Sequence, residues 1–173
     1  VFYPGAAGVQ FLNQYAQAGL KSQMPLYTAF TVDELSLPLQ KDNAIGIPGA
    51  QEWVNDLPNA ENKKFVEDYR KKYTGLRPTY YGAQSYDAAQ LINSAVVAAK
   101  GDTAKKDEMK AEMEKANFKS VRGPFKYGKN HIPIQNFYLQ DVVKDADGQL
   151  SLKTVATIVK DDQDRFHDKC PMK

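Results

Sequence analysis

The sequence predicts an α/β fold, a mostly parallel sheet with helices packed on its faces, and three observations carry that reading. Short apolar runs alternate with helix-period segments over the first third of the chain. Three helical segments then follow one another with no strand between them. The last part returns to strands around a turn at Asp145-Ala146-Asp147-Gly148, where side chains alternate as in a β-hairpin.

Val1, Phe2 and Tyr3 read as the tail of a strand, Pro4 and Gly5 as a turn, and Ala6 to Gly19 as a helix closed by its glycine. Met24 to Phe30 reads as the next strand. Asp33 to Gln40 is a short helix with Asp33 in position to cap it, and Ala44 to Pro48 is a third strand. That order is βαβαβ, and each parallel crossover needs a connecting element.

From Asn59, the run NAENKKFVEDYRKKYTGLRP sets Phe65, Val66, Tyr69 and Tyr73 at helical spacing and stops at Gly75 and Pro78. The next helix, SYDAAQLINSAVVAAKGD, carries Tyr86, Leu91, Ile92 and Val96 and has little polar surface. A helix that apolar needs a surface to cover, supplied either by the first-third sheet or by sequence outside this chain. Lys105 to Ala116 is a charged helix with a solvated face. VRGPFKYGKN then leads into the strands HIPIQNFYLQDVV and LSLKTVATIVKD, and the tail DDQDRFHDKCPMK is polar.

Composition narrows the function classes. A chain of 173 residues, 42% hydrophobic and 25% charged with a net charge of +2, predicts an ordinary globular protein and no nucleic-acid partner. No apolar run approaches the roughly 20 residues that span a bilayer. The single cysteine, Cys170, has no partner for an internal disulfide. Gly5 and Gly8 lack the third glycine and downstream acid of a dinucleotide fingerprint, and Asp145 to Gly148 lacks the glutamate that would complete a calcium loop. His167 and Cys170 make no metal site by themselves, and no nucleophile and base stand together in sequence. The expectation is a binding protein rather than an enzyme, with no cofactor and no metal.

The stretches FYPGAAGVQFLNQYAQAGL, PLYTAFTVDE, GAQEWVNDLPNAENKKFVEDYRKKY and PTYYGAQSYDAAQLI, followed by RGPFKY, resemble the periplasmic solute-binding proteins of ABC importers. The subfamily is that of the leucine/isoleucine/valine-binding proteins. The resemblance implies a two-lobed type I periplasmic binding fold, of which this chain is the C-terminal half, cut within a strand. It assigns residues 1–50 to the second lobe, 51–58 to a crossing between lobes and 59–125 to helices that pack on the first lobe. Residues 126–173 are then the crossing back, the second-lobe hairpin and the tail. The implied partners are a small-molecule ligand, an ABC permease and the missing N-terminal half, and the implied location is the periplasm.

In an open α/β sheet a ligand meets the C-terminal ends of strands. Two such ends are the turn Tyr3-Pro4-Gly5-Ala6 and the loop holding Phe30, Thr31 and Asp33. The resemblance adds that second-lobe contacts come from these loops, that Tyr81 falls where amino-acid binders place an aromatic near the ligand, and that Trp53 lines the cleft or the hinge. Packing explains each of Tyr3, Phe30, Trp53 and Tyr81 equally well. Amino-acid binders usually carry an acid in the second-strand loop to hold the ligand ammonium, where this sequence offers Ala29, Phe30 or Thr31. An aromatic or otherwise apolar carboxylate then suits the cleft best, and a branched-chain amino acid comes next if Asp33 takes the acid's place. A ligand-sensing domain of a receptor or regulator, or part of an α/β enzyme, is the alternative.

Overall fold

The computed structural model describes residues 1–172. Helix α1, Ala6–Gln17, follows the opening turn, and a 3-10 turn at Leu20–Ser22 leads to strand β1, Thr28–Ala29. Helix α2 is Leu37–Gln40, a second 3-10 turn covers Lys41–Ala44, and strand β2 is Gly49–Gln51. Helices α3, Ala60–Lys72, α4, Tyr80–Ala98, and α5, Lys106–Glu114, come in succession. Strands β3, Phe125–Tyr127, β4, Pro133–Lys144, and β5, Leu150–Asp162, complete the sheet before a last 3-10 turn at His167–Lys169.

The sheet is mixed, not mostly parallel. β1 and β2 pair in parallel, but β4 enters antiparallel beside β2, with Gly49 opposite Gln140, and β3 and β5 also pair antiparallel with β4. The chain opening is strand-like as the sequence predicts. The Val1 amino group donates to the Tyr27 carbonyl at 2.6 Å and Ala29 N–H donates to the Val1 carbonyl at 2.9 Å, the bond pattern of a parallel bridge.

Four element boundaries differ from the sequence reading, each for a local reason. The helix expected over Asp33 to Gln40 covers only Leu37–Gln40, with Ser36 at its cap, because Asp33 and Ser36 close a turn ahead of it. The strand expected over Met24 to Phe30 shrinks to two residues, because Pro25 has no N–H and Phe30 turns left-handed at φ 53°. The strand expected at Ala44 to Pro48 forms later, at Gly49–Gln51, because Gly46 at φ 76° turns the chain there. Helix α4 begins at Tyr80, earlier than the apolar stripe suggests, because the Thr79 side chain accepts from the Gly82 N–H at 3.4 Å and caps it.

Leu12 of α1, Val32, Trp53, Val54 and Leu57 share one buried core with Phe65 and Val66 of α3, Tyr138 and Val142 of β4 and Leu152 of β5. Helix α4 is different: it buries only Tyr80, Ala83, Asp87 and Ala95, while Ile92 and Val97 are 54% and 67% exposed. Tyr80 and Ala83 join the core, and a polar network ties the helix to the 120–122 loop. Asp87 accepts from Arg122 Nε at 2.8 Å, from Ser120 Oγ at 2.5 Å and from Val121 N–H at 3.0 Å.

Candidate functional site

The turn before α1 and the loop after β1 come together as the strand-end rule requires. Tyr3 N–H donates to Thr31 Oγ1 at 2.9 Å, and that hydroxyl donates in turn to the Ala29 carbonyl at 3.1 Å. Thr31 is fully buried, so it ties the two loops together and offers no surface to a ligand. Gly8 allows the approach: a Cβ there would stand 1.9 Å from the Tyr3 carbonyl oxygen. Tyr3, Pro4, Gly5 and Ala6 are exposed around the start of α1. Gly5 holds φ 70°, and no side chain caps the helix and no acid stands in its first turn. Ala6 and Ala7, which open α1 at the positive end of its dipole, are exposed.

Phe30 joins this turn to α4. A bulky side chain at positive φ is a backbone outlier, and such strain gathers where surrounding structure holds a residue in place. Its ring stands edge-on to Phe2 at 6.1 Å and to Tyr80 at 5.3 Å, and Tyr80 lies against Tyr81 at 4.0 Å. Tyr80 is buried, and burial together with the Tyr81 hydroxyl pushes its phenol up. Tyr81 and Phe2 are 49% and 63% exposed. Four rings thus run from the opening strand across the strand ends to the first turn of α4.

Three of the nine sequence-predicted residues are placed elsewhere in role: Thr31, buried as described above, Trp53 and Asp33. Trp53 is 0% exposed, packs edge-on against Phe65 at 6.2 Å, and donates from Nε1 to Asn62 Oδ1 at 2.7 Å; it belongs to the core and lines no cleft. Asp33 is also buried. Its Oδ1 accepts from Ser36 N–H at 2.7 Å while its own N–H donates to Ser36 Oγ at 3.0 Å, a reciprocal pair that closes the turn into α2. The carboxylate that would hold an ammonium group is committed to that turn.

Sequence reasoning missed four residues here: Phe2, Tyr80, Glu52 and Gln84. Glu52 follows β2 directly, is 1% exposed, and accepts a hydrogen bond from Gln84 Nε2 on α4. Burial pushes its carboxyl up, against the opposing pull of its own amide, Gln84 and Arg122. The strand-end rule would have found it had β2 been placed at Gly49–Gln51. A separate groove of about 1040 Å³, lined by Glu34, Leu35, Arg70, Leu76 and Arg77 among others, contains none of the nine predicted residues. Among the described residues no group of three His, Cys, Asp or Glu side chains could hold a metal ion, and no helix is long and apolar enough to cross a membrane.

Comparison with known proteins places this geometry. A family described as periplasmic binding protein matches residues 1–149. The chain is 30% identical over 163 residues to Leu/Ile/Val-binding protein homolog 6 of Brucella melitensis, covering 90% of this chain and 41% of that protein. A solute-binding protein of an ABC transporter from R. palustris, solved in complex with benzoate, superposes with a TM-score of 0.76 at 33% identity, over 94% of this chain and 46% of that one. Another from R. palustris, solved with 4-hydroxybenzoate, gives a TM-score of 0.82 at 28% identity, over 95% of this chain and again 46% of that one. The chain spans less than half the length of these relatives, as part of a two-lobed fold. The match reaches from the exposed turn before α1 to the turn between β4 and β5, and the chain belongs to the periplasmic binding protein family.

Proposed function

We propose that this chain is the C-terminal portion of an extracytoplasmic solute-binding component of an ABC importer, and that its ligand is a small aromatic carboxylate. The observation that carries the ligand class is the row of four rings, Phe2, Phe30, Tyr80 and Tyr81, beside the uncapped start of α1. Rings supply stacking and burial for an aromatic ligand. An exposed, uncapped helix start suits a carboxylate. In that loop Asp33 commits Oδ1 to its turn with Ser36 and the Glu34 carboxyl lies at the separate groove, so neither acid is presented beside the rings for an ammonium group. The benzoate and 4-hydroxybenzoate held by the two R. palustris proteins support the same chemistry.

Residues 1–50 and the β4–β5 hairpin form the second lobe, 51–58 is the crossing between lobes, and the exposed apolar side of α4 meets the first lobe. Ligand enters between the lobes and stabilises the closed arrangement, which a membrane permease then recognises. The mechanism is a population shift with no covalent step. A branched-chain amino acid is the second reading, favoured by the Leu/Ile/Val-binding homologue of Brucella melitensis.

A thermal-shift panel on the full-length protein tests this. Ligand at 100 times its Kd stabilises the native state by about 2.7 kcal/mol. Benzoate and 4-hydroxybenzoate are expected to raise Tm while leucine, isoleucine and valine leave it unchanged. A shift with the amino acids alone overturns the aromatic reading.

A further inference from the structure

We propose that Glu52 is a positioning residue for the ligand-binding rings: it holds the first turn of α4, and with it Tyr80 and Tyr81, against the ends of β1 and β2. The inference rests on the binding reading above and names the part of the site that sets its preference for aromatic ligands.

Three observations carry it. Glu52 follows β2, and its Oε1 accepts from Gln84 Nε2, one helical turn beyond Tyr80 and Tyr81 on α4. Phe30 donates its N–H to the Ala50 carbonyl at 3.3 Å and sets its ring edge-on to Tyr80, so the ends of both parallel strands meet the same helical turn. The strand ends therefore grip α4 at two points, one apolar through Phe30 and one polar through Glu52.

The third observation is that the carboxyl is costly where it stands. Its Oε2 is buried and has no hydrogen-bond partner among the described residues. The nearby cation, Arg122, is engaged by Asp87 through Nε at 2.8 Å and by Gln135 through NH1 at 2.8 Å, and forms no ion pair with Glu52. A buried acid without an ion pair adds little to stability, and a glutamine would accept the same bond at lower desolvation cost. What the side chain does supply is a fixed length and an acceptor at one point on α4. Without it the first turn of α4 loses its polar tie to the strand ends: ring contacts hold it there, and the next polar bonds are those of Asp87 to the 120–122 loop, farther along the helix.

The test is isothermal titration of benzoate and leucine into the full-length protein carrying E52A, E52Q or Q84A. Gln84 lies at the surface, so Q84A removes the donor without opening the core, and it keeps the test alive if E52A fails to fold. E52A and Q84A are each expected to weaken benzoate binding about tenfold, the scale of one lost hydrogen bond to an ionisable group. E52Q is expected to restore the affinity lost in E52A to within about threefold of wild type. A merely structural role would lower stability without that affinity pattern or its rescue. Wild-type benzoate affinity in both E52A and Q84A overturns the inference alone, as does an E52Q protein no better than E52A. A wild-type protein that takes up leucine and not benzoate overturns the aromatic reading and the inference with it.

Discussion

Glu34 gives the sharpest prediction about stability. Both of its carboxyl oxygens are buried and have no hydrogen-bond partner among the described residues. Burial pushes its pKa from 4.5 up to about 8; its own amide and Arg77 pull it down, and the charges of Asp33 and Asp56 add to the rise. In the unfolded chain the group returns to its ordinary value. Between pH 4.5 and about 8 the folded chain therefore holds a proton that the unfolded chain has released. Stability is fully present below the lower value and is lost as pH rises through the upper one. At 1.36 kcal/mol per pH unit, that span sets a ceiling of about 5 kcal/mol on the loss. Glu34→Gln keeps the size of the side chain and removes its titration. Urea denaturation of wild type and E34Q at pH 5, 6.5 and 8 isolates the effect, because every other titrating group is common to both. The gap in unfolding free energy is expected to widen in favour of E34Q by about 2–5 kcal/mol between pH 5 and pH 8. Parallel pH curves would show that Glu34 ionises without penalty and would refute the reasoning.

Asp87→Ala leaves Arg122, a residue only 7% exposed, without its carboxylate and frees α4 from the 120–122 loop. Unfolding free energy is expected to drop by about 3–5 kcal/mol in urea melts, and a drop under 1 kcal/mol would count against the network as the main polar tie of α4. Gly8→Ala puts a methyl group 1.9 Å from the Tyr3 carbonyl oxygen, so α1 or the opening turn must shift. A loss of about 1–3 kcal/mol, with weaker ligand binding because the displaced turn carries Tyr3 to Ala6, is the expected result of a melt and a titration on the same sample. An unchanged protein would mean that the turn moves freely and takes no part in the site.

The sequence made the long-period features legible. Phe65, Val66 and Tyr69 mark α3 by the face that they bury, and the turn residues Asp145 to Gly148 between two strand-like runs mark the hairpin, whose strands pair antiparallel. Short strands were harder. β1 has two residues and β2 has three, too few for an alternation to show, and what placed them was the left-handed turns at Phe30 and Gly46. The parallel bias failed for another reason: strand direction beside β2 is decided by β4, about 90 residues later in the chain, and no local pattern records that pairing.

The same distinction explains the site. Tyr3 to Ala6 and Phe30 were read from strand ends and turn residues, which carry local signals, and Tyr81 from family resemblance. Trp53 looked equally eligible, since an aromatic at a crossing between lobes can face a cleft or a core. Its orientation was decided by Asn62, nine positions along on α3, which takes its indole proton at 2.7 Å. Asp33 was read as the cap of its helix, a place that Ser36 takes; the Asp33 carboxylate instead closes the turn ahead of α2, with Oδ1 bonded to the Ser36 N–H and the residue buried. The acid that does reach the strand ends, Glu52, has an unpaired oxygen and a single bond to α4, a placement that only the folded β2 reveals. The proposal of an aromatic ligand rests on where these acids are pinned as much as on where the rings stand.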